Sequence, residues 1–278
     1  MPTSQKSPLG WSTCPLKKRL IPCLFLKNGF LVRSEQFQRH QLLGNAIHQV
    51  ERFNAWDVDE LIYTDISPEA SYDIRRDDTK VKNEDNILDI LVAVSKTCFM
   101  PLTFGGKIRT LNDVKRRISL GADKVSINSA AHYTPNLIQQ SANMFGSQAV
   151  VAAMDVYQHD NGTYEVYVDS GQTPTGQQPQ LWGRYLETLG AGEIFLNSIN
   201  KDGMANGYDL TLVQLVTQSV RIPVIACGGV GQFSHLVDGI TVGRADAVAA
   251  GNIFHFTELS ALQARKTLRD SGIAVRSL

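Results

Sequence analysis

Asp59-Glu60-Leu61-Ile62-Tyr63-Thr64-Asp65-Ile66 returns later in the chain, in pattern, as Gly192-Glu193-Ile194-Phe195-Leu196-Asn197-Ser198-Ile199. The likeness extends outward from both copies. Pro101 leads to Gly105-Gly106-Lys107, and Pro223 leads at the same offsets to Cys227-Gly228-Gly229. Ala122-Asp123-Lys124-Val125 matches Ala245-Asp246-Ala247-Val248. Self-similarity of this kind marks a duplicated half. It predicts two equivalent sites across whatever surface the halves share.

Strand-length apolar runs alternate with helix-length amphipathic stretches from Arg19 onward. The strands are expected at Arg19–Leu26, Glu60–Ile66, Leu102–Gly105, Lys124–Asn128, Ala149–Val156, Glu193–Ile199, Pro223–Cys227 and Ala245–Ala250. Helical segments follow, among them Glu84–Thr97, Leu111–Leu120, Pro135–Phe145, Leu181–Leu189 and Glu258–Asp270. Strands apolar nearly throughout are buried on both faces, as in a parallel sheet. Eight βα units are the number that closes a (β/α)8 TIM barrel. The rival is an open doubly wound sheet, but no G-x-G-x-x-G follows the first strand. The chain therefore reads as an N-terminal extension over residues 1–18 and one barrel domain over 19–278.

The 278 residues are 43% apolar and 19% charged with a formal net charge of zero, which suits one large core. A neutral balance without a basic stripe argues against nucleic acid, and no apolar run approaches a membrane span. Residues 1–18 lack the apolar core of a signal peptide, so the expected location is the cytoplasm. Cys14, Cys23, Cys98 and Cys227 form no C-x-x-C pair. Neither a metal nor a cofactor is expected, and the last three read as buried reduced thiols.

Reacting groups in a TIM barrel project from the carboxyl ends of the strands. Those ends here carry Phe25, Asp65, Gly105-Gly106, Asn128-Ser129, Asp155, Ser198 with Asp202-Gly203, Gly228-Gly229 and Gly251-Asn252. Glycine lets backbone N–H groups approach an anion closely. One Gly-Gly pair could merely permit a tight turn, but two at repeat-equivalent positions favour phosphate binding. Asp155 closes the apolar run Val150-Val151-Ala152-Ala153-Met154, where partial desolvation would raise its pKa toward a useful range for proton transfer. That favours catalysis over a turn-stabilising role. Asp65 and Asp202 are weaker candidates, since each could cap the segment after it. The amino ends carry Arg19, Glu60, Lys124 and Glu193, which on their own read as a structural ring of ion pairs.

These segments together resemble the cyclase subunit of imidazole glycerol phosphate synthase. The resemblance rests on Arg19-Leu20-Ile21-Pro22-Cys23, Asp59-Glu60-Leu61, Gly121 through Asn128, Phe145 through Val150, Gly190 through Ile194, Asp202-Gly203 with Gly207-Tyr208-Asp209, Ile225 through Gly229, and Phe254-His255-Phe256. It implies a glutaminase partner docked on the barrel bottom, near Asp123 and Lys124, whose ammonia travels along the barrel axis. By resemblance, Arg19, Glu60, Lys124 and Glu193 match the family's charged gate at the ammonia entrance. Asp155 matches one of its two catalytic aspartates.

Three departures stand out. The second aspartate is replaced by Phe25, which cannot transfer a proton. Lys107 replaces the glycine expected opposite Gly229. The Ser67–Asn83 loop is longer than the family's and rich in charge. Such departures resemble a divergent branch that accompanies surface-polysaccharide genes. That branch implies a nucleotide-linked sugar whose acetamido group becomes acetamidino, with a sugar amidotransferase as a further partner. The alternatives are the ordinary histidine-pathway cyclase working with Asp155 alone, and a non-catalytic conduit that docks and activates the glutaminase.

Overall fold

The computed structural model describes residues 16–67, 72, 86–256 and 259–276. It contains β1 (Arg19–Lys27), β2 (Phe30–Glu35), β3 (Arg39–Asn45), β4 (Leu61–Asp65), β5 (Leu102–Gly105) and β6 (Lys124–Ile127). Then come β7 (Val150–Gln158), β8 (Tyr164–Val168), β9 (Thr173–Pro174), β10 (Glu193–Ser198), β11 (Val224–Cys227) and β12 (Ala247–Ala250). Eight of these pair in parallel in the order β1-β4-β5-β6-β7-β10-β11-β12, and β12 pairs back onto β1. The sheet is closed, and helices interleave its strands: a (β/α)8 TIM barrel.

Closure explains why the strands read as unbroken apolar runs. Along β1, Leu20, Leu24 and Leu26 face outward into the layer shared with the helices. Ile21, Cys23 and Phe25 face inward to a second cluster with Ile62, Phe195 and Ile225. Alternate residues serve two different cores, so neither face carries the polar residues that a solvent-facing sheet would show. Cys23 and Cys227 are buried free thiols in the inner cluster, and burial, with Cys227 as neighbour, pushes the Cys23 thiol up.

Helix starts follow local chemistry. Asn86 caps Ile87–Thr97 by accepting from Leu88 N and Asp89 N, and Thr110 with Asp113 forms a capping box for Leu111–Ser119. Asp209 caps Leu210–Thr217. Asn136–Phe145, Pro179–Thr188 and Ser260–Asp270 fall within a few residues of the expected ranges.

A helix comes between every two neighbouring barrel strands, as expected, but after β1 and after β7 a hairpin precedes it, and the helices that follow are His48–Ala55 and Pro179–Thr188. These two strands extend past the barrel and turn back as antiparallel hairpins, β1 with β2 and β7 with β8. The first turn is Asn28-Gly29, with φ of 51° and 77° and Lys27 paired to Phe30. Both central residues are left-handed, which is the two-residue hairpin turn that Asn-Gly favours. The second crosses residues 159–163, where Gly162 has φ 81°. The hairpins occupy equivalent places in the two halves, so the duplication includes them. Residues 1–15 and nearly all of the Ser67–Asn83 loop lie outside the described residues; Lys18 bridges to Val275.

Candidate functional site

The two ends of the barrel carry different chemistry. At the amino ends, Arg19 Nη1 donates to Glu60 at 3.0 and 3.1 Å and Arg19 Nη2 lies 2.8 Å from Glu193 Oε1. Lys124 Nζ lies 2.6 Å from Glu60 Oε1 and 2.9 Å from Glu193 Oε2. Each cation touches both anions, so the four side chains close a ring of zero net charge. Burial opposes the charge on Arg19, but the two glutamates outweigh it and raise its pKa. Ion pairs this buried are weak contributors to stability, because desolvation offsets most of their attraction. The ring sits at the bottom of the inner cluster, where apolar packing would serve stability better. Asp123, next to it, is exposed and accepts from Leu102 N at 2.8 Å.

At the carboxyl ends, Asp155 is 9% exposed and its Oδ2 accepts from Asn128 Nδ2 at 2.6 Å. Burial lifts its pKa to about 7; the Asn128 bond opposes the shift and the Asp202 charge adds to it. A carboxyl group at that value exchanges protons readily near neutral pH. Asn128 directly follows β6 and Asp155 lies in the neighbouring β7 three residues beyond Ala152, the partner of Ile127, so this pair is built by the β6–β7 register.

Asp202 belongs to a different device. Its carboxylate accepts from Ser34 Oγ at 2.6 Å and Phe37 N at 3.2 Å. A Cβ at Gly203 would lie 2.4 Å from Ser34 O, and Asn252 Nδ2 reaches the same oxygen at 3.3 Å. Asp202, Gly203 and Asn252 therefore clamp the β2–β3 hairpin over the mouth. Burial raises the Asp202 pKa against the pull of those two donors.

The late glycines are arranged differently. Gly228 and Gly229 have φ of 94° and 101°, and a Cβ on Gly229 would meet Gly207 O at 2.2 Å. Beside them, Ser198 Oγ and Asn197 Oδ1 are buried without a hydrogen-bond partner. Buried polar atoms are nearly always paired, so a free donor and acceptor at the mouth fit a bound ligand. Gly251 packs where a Cβ would lie 2.9 Å from Cys23 O.

In the early half, Gly105 and Gly106 lead to Lys107, whose Nζ lies 3.4 Å from Asp65 Oδ2. Ser129 Oγ accepts from Asp169 N at 2.9 Å. Asp65 accepts from Ser67 N and Oγ and from Tyr72 OH. A cavity of about 350 Å³ lined by residues including His48, Gln49, Arg52 and His255 lies beside the β2–β3 hairpin and shares no residue with the Asp155 site.

Sequence reasoning missed Ser34, Asn197 and Tyr72. The signal for Ser34 was Asn28-Gly29, which announces the hairpin carrying it. Nothing in the sequence marked the other two. A family model described as histidine biosynthesis protein matches residues 19–260.

Proposed function

We propose, from the premise that the chain belongs to the histidine biosynthesis protein family, that it is a cyclase-like synthase subunit fed with ammonia by a partner. A glutaminase subunit docks at the amino ends of the strands, near Asp123 and Lys124. Ammonia passes the Arg19–Glu60–Lys124–Glu193 ring and moves along the barrel axis to Asp155. The closed ring is the observation that carries this reading, since four buried charges in the barrel floor gain little stability there. The inner cluster adds support. Cys23, Ala153, Ala247 and Ala249 stand where barrel interiors commonly hold bulky branched side chains. Such a lining suits a small neutral molecule and disfavours ammonium, whose desolvation would cost several kcal/mol.

At the mouth, Asp155 passes protons from the ammonia that adds to the acetamido carbonyl to the carbonyl oxygen, which leaves as water as the acetamidino C=N bond forms; Asn128 holds the Asp155 carboxylate in place. The acceptor is phosphorylated or nucleotide-linked, with its phosphate at Gly228-Gly229 beside Ser198. Phe25 leaves no carboxylate at the repeat equivalent of Asp155, where a two-acid cyclisation would need one. We therefore assign amination of a nucleotide-linked sugar, acetamido to acetamidino, with a sugar amidotransferase as a further partner. The family match favours one other reading, the histidine-pathway cyclisation carried by Asp155 alone.

Purified protein given ammonium salt and the histidine-pathway nucleotide separates these. Slow or no turnover is expected. A rate ordinary for enzymes, about 10 per second, would return the chain to the histidine pathway.

A further inference from the structure

The two halves of the mouth follow one backbone path but differ as anion sites. Gly106 and Gly228 both have φ 94°. A Cβ on Gly106 would lie 2.3 Å from Asp65 O, and one on Gly228 would lie 2.9 Å from Ser198 O. Asp65 and Ser198 are repeat equivalents, so the two turns pack alike. One residue on, Gly229 has φ 101° where Lys107 has φ 54°. A lysine in the left-handed region is strained, because its Cβ crowds the following carbonyl oxygen.

Its ammonium is turned back onto the turn's own side chains. Lys107 Nζ lies 3.4 Å from Asp65 Oδ2 and 4.9 Å over the ring of Tyr72. The Asp65 side chain is fully buried and also accepts from Ser67 N at 2.9 Å, Ser67 Oγ at 2.5 Å and Tyr72 OH at 3.0 Å. Behind the turn, Arg117 donates to Gly106 O at 2.7 Å and to Asp113 O at 3.1 Å. Asp65 and Asp113 balance Lys107 and Arg117, so the turn presents no net charge to an anion. The nearby Ser129 Oγ accepts from Asp169 N, which fixes the hydroxyl in place and leaves its O–H as a donor. In the late half, the counterpart of Asp65 is Ser198, whose buried hydroxyl has no partner; Thr64 Oγ1 and its counterpart Asn197 Oδ1 are unpaired in both halves, so the difference lies at Asp65 and Ser198.

We infer that the early turn is a closed anion site, filled by Lys107 on Asp65 beneath Tyr72, and that the substrate carries phosphate at one end only, against Gly228-Gly229 and Ser198. This rests on the proposed late phosphate site and narrows its substrate. A ligand with phosphates at both ends of the mouth finds no partner for the second. One whose other end is neutral, as a sugar is, meets no unpaired charge.

Inorganic phosphate is the probe, in crystals of the full chain and in titration calorimetry of the same protein. The wild-type chain should take one phosphate, at the late turn. Asp65→Ser with Lys107→Gly copies the late half into the early one and should bind two. Ser198→Asp puts a carboxylate at the late turn and should bind none; one phosphate bound at its early turn would overturn the closure, which keeps the test alive if the double variant does not fold. Phosphate on Lys107 Nζ in the wild type overturns the closure while leaving the late site standing. A folded double variant that still binds one phosphate also overturns it. No phosphate at the late turn of the wild type overturns the reading beneath it.

Discussion

Phe25 holds in β1 the register position that Asp155 holds in β7. Phe25 pairs with Thr64 on the neighbouring strand and Asp155 pairs with Asn197, and Thr64 and Asn197 are themselves repeat equivalents. The duplicated fold thus builds the same place twice and fills it with different chemistry. On one side stands a phenyl ring packed on the inner cluster, and on the other a carboxyl group near neutrality.

Phe25→Asp should restore a second proton-transfer group. A positioned acid or base contributes about 10² to 10⁴ in rate. Ammonia-dependent turnover of the histidine-pathway nucleotide should rise by at least tenfold over the wild type. No rise in a folded variant would mean that the acceptor pocket, rather than the lost carboxylate, sets the chemistry.

Asp155→Asn should lower amination of the true acceptor by about 10² to 10⁴. In the wild type, activity should climb as pH passes through about 7, since the base form is the ionised one. Stability should run the other way. An ordinary unfolded aspartate titrates near about 3.9, so between there and about 7 the folded chain holds the extra proton. Stability then falls as pH rises through that window. Asp155→Asn should flatten the fall, read from urea midpoints at several pH values; the raised Asp202 leaves part of it. Full amination by a folded Asp155→Asn protein would make the barrel a conduit only.

Ser34→Ala removes the 2.6 Å donor to the buried Asp202 carboxylate. Leaving such a group short of a partner costs about 1–3 kcal/mol. The loss should appear as a lower urea midpoint with an unchanged slope. An unaltered midpoint would mean that the hairpin is not clamped through this bond.

The barrel was legible because its strands are buried on both faces, so each wrote an apolar run into the sequence without help from its neighbours. Counting those runs yields eight strands, and the repeat between Glu60 and Glu193 strengthens the barrel reading. The hairpins were harder. β1 and β7 run on past the barrel with the same composition, and only Asn28-Gly29 and Asn161-Gly162 mark where they reverse. Asp155 was legible from its place at the end of such a run. Asp202 was not, because it looks like any other strand-end aspartate until the β2–β3 hairpin is folded over it. The contrast between Lys107 and Gly229 stood out in the repeat, but the pairing of Lys107 with Asp65 and Tyr72 depends on side-chain directions that no spacing encodes.

The charged ring decides between a structural floor and an ammonia gate. Lys124 alone bridges Glu60 and Glu193 on its side, with only 15% of its side chain exposed. Lys124→Ala should lower stability by about 3–5 kcal/mol, the usual cost of breaking a buried ion pair. The decisive measurement is product formed per glutamine hydrolysed, by the folded Lys124→Ala chain in complex with its glutaminase, beside the same reaction fed with free ammonium salt. The expected result is a ratio well below that of the wild type with glutamine and near wild-type product formation with added ammonia. A wild-type ratio with glutamine would return Arg19, Glu60, Lys124 and Glu193 to a structural role and contradict the passage of ammonia through the barrel floor.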